Sequence, residues 1–247
     1  MLGLPDTVRA CLFDLDGVLT DTATVHARAW KTTFDDYLAR RARRTGERLE
    51  PFDALADYDR YVDGRPRADG VAAFLAARGI ELPRGDADDL SDAETVNGIG
   101  NAKNRRLLAL LRTDGVTAFA GSVRFVRAAR DVGLRRAVVS ASANCADVLH
   151  AARIAELFEV RVDGALASRE HLRGKPAPDT FLAGARALGV EPAQAAVFED
   201  ALAGVAAGRA GGFGLVVGVD RVGQAGALRA HGADRVVGEL AELLTAP

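Results

Sequence analysis

The sequence predicts an α/β protein: a mostly parallel β-sheet core carrying an inserted α-helical segment. Three observations predict it. From about residue 120 onward, short apolar runs alternate with helical stretches, the pattern of βαβ units. Residues 22–115 break that rhythm with helical patterns and no clear buried strand. Acids and hydroxyls stand at the ends of the apolar runs, where an open parallel sheet places its ligand site.

The elements follow in chain order. Apolar runs at 9–14, 136–140, 195–198, 213–217 and 234–237 are expected to be buried strands. The first leads directly into the insertion, where 24–41, 70–79 and 103–115 read as helices. The polar stretches 65–70 and 82–94 read as exposed loops. Trp30 and Phe34, four residues apart, are expected in the core of the insertion, and Lys31 in solvent. Further on, 122–133 ends in Gly133 as a C′ glycine. The helix expected at 145–157 follows Asn144, a residue suited to the N-cap. The stretch 177–189 has prolines at its start and glycine at its end, and 201–212 closes on two glycines. The simplest division is a core of 1–21 and 116–247 with a helical cap of 22–115.

Composition excludes several classes. Apolar residues make up 49% and charged residues 27% of the 247, an ordinary globular balance. A net charge of −2 gives no bulk electrostatic case for nucleic acid or an anionic membrane as partner. The basic run 39–48 reads as a solvated helix end or loop. Two cysteines, Cys11 and Cys145, make neither a metal motif nor a disulfide framework. The N-terminus lacks the basic start and apolar stretch of a signal peptide, and no run reaches the ~18 apolar residues of a membrane span. The expectation is a cytoplasmic monomer.

The chemistry gathers at the strand ends. The first gives Asp14 and Asp16, the second Ser140, Ser142 and Asn144, and "AVFEDA" gives Glu199 and Asp200. "RGKPAPD" places Lys175 in a loop entering a helix. Two unit charges ~4 Å apart repel by roughly 4 kcal/mol at an effective dielectric near 20, about three pKa units. Four converging carboxylates therefore call for a divalent cation, and hard oxygen ligands suit Mg²⁺. Taken singly, each signal has an ordinary reading. A DxD is often an exposed turn, a lone serine a cap, and "ED" before a helix a favourable dipole contact.

Together, "FDLDGVLTDT", the serine after "AVV", "GKPAPD" and "FEDALAGV" resemble the four ordered motifs of the haloacid dehalogenase superfamily. The resemblance implies a Rossmann-like parallel-sheet core with a cap inserted after the first strand. It makes Asp14 the nucleophile that becomes an aspartyl-phosphate and Asp16 the general acid/base. Asp14, Asp16 (through its carbonyl), Glu199 and Asp200 would hold Mg²⁺, and Ser140 and Lys175 would hold the phosphoryl oxygens.

"TDTATVHARAWK" further resembles the opening of the β-phosphoglucomutase-like subfamily. There the residues at Thr22 and His26 help gate the acid/base. "GRPRADG" resembles the loop whose arginine grips the non-reacting phosphate, with Arg67 the best match and Arg65 in reserve. "GNAKNRRLL" would offer Lys103 and Asn104 to a sugar, although Asn104 also suits a helix cap. "SASAN" would bring Ser142 and Asn144 to the distal phosphate, but Ala143 stands where the subfamily has a basic residue. The resemblance implies interconversion of β-glucose 1-phosphate and glucose 6-phosphate through a β-glucose 1,6-bisphosphate, with cap closure excluding water. A sugar-phosphate phosphatase, or a non-catalytic phosphoacceptor or sugar-phosphate sensor, would use the same constellation.

Overall fold

The computed structural model describes residues 2–244; Met1 and residues 245–247, at the outer ends of the expected core, lie outside the described residues. The chain divides into two compact units, one of residues up to Asp21 together with those from Val116 onward, the other of Thr22–Gly115.

The first unit is built on a six-stranded, wholly parallel sheet. Its strands are β1 (Ala10–Phe13), β2 (Arg135–Val139), β3 (Val160–Val162), β4 (Ala195–Glu199), β5 (Leu215–Val219) and β6 (Arg235–Val237), in spatial order β3-β2-β1-β4-β5-β6. β1 and β4 are buried at every position, which is why each reads as an unbroken apolar run. In register, Phe13 lies opposite both Val138 and Phe198, and it stacks on Phe198 at 4.6 Å between ring centroids. Cys11 is fully buried among these strands, and that burial raises its thiol pKa. The order reverses between β1 and β4, because the chain builds outward from β1 on one side and then crosses to the other. Ligands of such sheets bind beyond the carboxyl ends of the strands at that switch point.

Four of the expected strands lie within one residue of their predicted limits, and the fifth, 213–217, is displaced by two to Leu215–Val219. β3 was not expected. Its three residues have Arg161 at the centre and only Val162 fully buried, so no apolar run announces it. The helix expected at 145–157 is broken: it runs Cys145–Ala151, Arg153 takes a left-handed φ of 56°, and a 3₁₀ turn follows at Ala155–Leu157. Asn144 sits at the N-cap position without a side-chain cap hydrogen bond. Gly133 has φ 81° and returns its amide to Arg130 O, as a C′ glycine does.

The second unit is helical. Its elements are α1 (Ala23–Thr45), a π-helical turn (Tyr58–Val62), α2 (Arg67–Ala76) and α3 (Val96–Asp114). Trp30, Phe34, Phe52 and Phe74 form the centre of its core, with Trp30 and Phe34 stacked at 5.0 Å. The stretch 65–70 is not a loop throughout, since Arg67 opens α2 directly after Pro66, with Asp69 as the acid of the first turn. Its polarity is that of a helix N-terminus. Asn104 lies inside α3, which is capped instead by Thr95 through a 2.9 Å bond from the Gly98 amide. Lys31 keeps 45% of its side chain in solvent, and its ammonium also donates to Asp35 at 2.8 Å and to the Phe52 carbonyl at 3.0 Å.

Candidate functional site

β1 ends at Phe13, and the backbone stays pinned to β4 one residue longer through Asp14 N–H to Phe198 O at 2.9 Å. The Asp14 side chain therefore emerges at the switch point, 6% exposed. A tight turn follows. Gly17 N–H donates to Thr20 O at 2.8 Å, and the amides of Leu19 and Thr20 both reach Leu15 O. This turn folds Asp16 back so that its backbone amide hydrogen-bonds the Asp14 carboxylate. Gly17 is required here. Its φ is +82°, and a Cβ would lie 1.7 Å from Asp200 Oδ2.

Lys175, 3% exposed, arrives from the loop between the short helix Gly164–Arg169 and the helix Asp179–Leu188. Its ammonium donates to Asp14 Oδ1 at 2.5 Å, to Glu199 Oε1 at 2.5 Å and to Val139 O at 3.2 Å, so all three protons are used. Glu199, fully buried, accepts the Ala201 amide on Oε2 at 2.8 Å. It lies so close to the next helix that a Cβ on Gly204 would be 1.7 Å from Oε1. Asp14, Glu199 and Asp200 each bring a carboxylate oxygen within 4.8 Å of the others. The Asp16 carboxylate is not part of that group.

Burial pushes the Asp14 carboxyl above the usual range, opposed by Lys175. Burial likewise pushes Glu199 up to about 7, again opposed by Lys175. Burial alone would lower the Lys175 pKa, but the Asp14 and Glu199 carboxylates outweigh it and keep the ammonium charged. Three carboxylates, Asp14, Glu199 and Asp200, thus converge beside one ammonium, which pairs with two of them. A buried cluster of hard oxygen donors with excess negative charge fits a divalent cation such as Mg²⁺.

Ser140, 2% exposed, follows β2, whose last carbonyl already binds Lys175. Its hydroxyl accepts the Ser142 amide at 3.1 Å, and the Ser142 hydroxyl accepts the Asn144 amide at 3.2 Å. The structure thus brings Asp14, Lys175, Glu199 and Asp200 together, with Asp16 adjoining through its amide and Ser140 beside the Lys175 anchor. Ser142 and Asn144 follow along the same turn. The glycines Gly17 and Gly204, which make room for the carboxylates, went unremarked in the sequence; their positions beside acids at strand ends were the available signal.

The remaining candidates belong to the helical unit. Thr22 is fully buried at the start of α1. His26 Nδ1 lies 3.1 Å from the ammonium of Lys103, itself 4% exposed and 4.8 Å from the centroid of the Trp30 ring. Burial, then the Lys103 charge, hold His26 well below its ordinary pKa, so it accepts from Lys103 as a neutral imidazole. Arg67 donates to Asn101 Oδ1 at 3.2 Å, and its side chain lies against Gly100.

A protein-family profile described as haloacid dehalogenase-like hydrolase matches residues 8–212. A β-phosphoglucomutase of Mycobacterium bovis is 59% identical over 247 residues, covering 99% of this chain and 94% of that one. Among solved structures, a β-phosphoglucomutase from Clostridium difficile superposes with a TM-score of 0.73 at 24% identity, covering 96% of this chain and 93% of the other. A haloacid dehalogenase family hydrolase from Deinococcus radiodurans, solved with phosphate and sodium bound, does so at 0.64 and 30% identity, over 97% and 94%.

Proposed function

The chain belongs to the haloacid dehalogenase superfamily, within its β-phosphoglucomutase-like branch, and on that premise we propose that it is a phosphomutase interconverting β-glucose 1-phosphate and glucose 6-phosphate. The observation that carries this reading is the buried contact of Lys175 with Asp14 and Glu199 beside Asp200 at the sheet's switch point.

Asp14 attacks phosphorus, and the bond to the leaving sugar oxygen breaks as the aspartyl-phosphate forms. Asp16, protonated, gives its proton to that oxygen; as a carboxylate it later takes the proton of the incoming sugar hydroxyl. Lys175 balances charge on the phosphoryl oxygens, and Ser140 supplies a hydroxyl. Asp14, Glu199, Asp200 and the Asp16 carbonyl would hold Mg²⁺, which supplies charge neutralisation when bound. The substrate is a sugar phosphate. Thr22, His26, Arg67, Lys103, Asn104, Ser142 and Asn144 are its further proposed contacts.

A second reading is a sugar-phosphate phosphatase, in which water replaces the acceptor hydroxyl. Ala143 favours it, since a distal phosphate would meet one positive charge fewer there. The test is a Mg²⁺-dependent assay on β-glucose 1-phosphate primed with a trace of the bisphosphate. Glucose 6-phosphate formation that is abolished by Asp14→Asn supports the mutase. Release of inorganic phosphate without glucose 6-phosphate rejects it in favour of the phosphatase.

A further inference from the structure

We propose that Arg221 is a positioning residue for the acid/base aspartate, an inference that rests on the role given above to Asp16. Arg221 stands in the loop after β5, far in sequence from the Asp16–Gly17 turn. Its Nε nevertheless donates to the Gly17 carbonyl at 2.7 Å. The guanidinium is itself held from other sides. Nη1 donates to Gly238 O at 3.1 Å, and the plane lies over the Phe119 ring, 3.8 Å from its centroid. Phe119 belongs to the same assembly, since its amide donates to Leu19 O at 2.9 Å.

The need for such a tie follows from Gly17. A glycine at positive φ has no side chain to fix the adjoining peptide planes, and neighbouring backbone conformations cost it little. Rotation of the Asp16–Gly17 plane would carry Asp16 with it, and Arg221 fixes the Gly17–Val18 plane on the other side of the hinge. Gly17 also lies against Asp200, so the turn has no slack on that side. Arg fits the task better than Lys, because its planar fork can stack on an aromatic ring and bond two carbonyls at fixed angles.

The loop that presents Arg221 is pre-ordered. Asp220 accepts the amides of Gly223 at 2.7 Å and Gln224 at 2.8 Å on one oxygen, and of Ala225 at 3.1 Å on the other. From the same loop Gln224 donates to the Asp200 carbonyl at 3.1 Å. One loop thus grips the backbone beside both Asp16 and Asp200 while contributing no group to the carboxylate cluster.

The test uses leaving-group dependence, which a merely structural role would not move. An alkyl sugar oxygen needs protonation as it leaves; p-nitrophenolate does not. Arg221→Ala should lower kcat on β-glucose 1-phosphate about 10- to 100-fold with KM little changed, the scale of a small misplacement of a reacting group. With p-nitrophenyl phosphate the rate of the p-nitrophenolate burst, which reads the first transfer to Asp14 alone, should fall by less than about 3-fold, as expected when general-acid assistance is not needed. Arg221→Lys, which keeps a cationic donor, should recover part of the sugar-phosphate loss, and it carries the same comparison if Arg221→Ala does not fold. Equal losses on the two esters, or no loss on either, overturn the assignment alone. A wild-type enzyme inert towards both overturns the proposed function and this inference with it.

Discussion

Asp14 is asked to be ionised where ionisation is costly. Burial raises its pKa above the ordinary carboxylate value, so the unfolded chain releases this proton at lower pH than the folded one. The folded state then binds the extra proton, and its stability falls as pH rises past the unfolded value near 3.8. Asparagine keeps the shape and an oxygen for Lys175 but never ionises. Asp14→Asn should therefore lower turnover about a thousand-fold or more, the scale of losing a nucleophile. In chelator-treated protein it should melt higher than wild type at pH 7.5, with the difference closing towards pH 4. A variant that melts lower across that range would show that Lys175 pairing outweighs the burial cost. The group was legible in sequence only because its acids stand at strand ends together with Ser140 and Lys175 in one ordered set of motifs; singly, each had an ordinary structural reading. Arg221 was not, because nothing near position 221 signals a contact with Gly17, 204 residues away.

Elements show the same division between local and distant causes. β1 and β4 were legible because burial on both faces leaves a continuous apolar run, whereas β3 is a short strand at the sheet edge with Arg161 at its centre. The start of α2 was misread because a polar first turn looks like a loop when its packing is unseen. The helix Leu202–Ala210 carries a sharper case. Intrinsic propensity favours alanine over glycine in a helix by about 1 kcal/mol. At Gly204 a Cβ would fall on Glu199 Oε1, whose carboxylate cannot retreat without losing Lys175 or the Ala201 amide. Gly204→Ala should destabilise by about 1–3 kcal/mol, as overpacking does, and reduce turnover. The helix Ala225–Ala230 supplies the control. Gly226 is exposed with nothing near its missing Cβ, and Gly226→Ala should stabilise by up to about 1 kcal/mol. Urea denaturation of the two variants reads both signs; stabilisation at Gly204 would mean that Glu199 can move freely.

At the scale of the whole molecule, two cores bring opposite responses to pH. Glu199 in the parallel-sheet unit is pushed up to about 7 from an ordinary 4.5, so its contribution is lost as pH rises through that window. His26 in the helical unit runs the other way. Burial, reinforced by Lys103, holds it neutral in the fold, while the unfolded chain protonates it below about pH 6.5. Its contribution is complete above that pH and declines as pH falls, by at most about 1.4 kcal/mol per pH unit. A probe of the whole chain would blur the two slopes. Trp30 is the chain's one tryptophan, and it lies in the core of the helical unit. The urea midpoint read by its fluorescence should fall between pH 7 and pH 5 in the wild type. His26→Gln, which keeps an acceptor for Lys103 but cannot titrate, should flatten that fall. An equally steep fall in the variant would place the acid sensitivity of this unit elsewhere than in the His26–Lys103 contact.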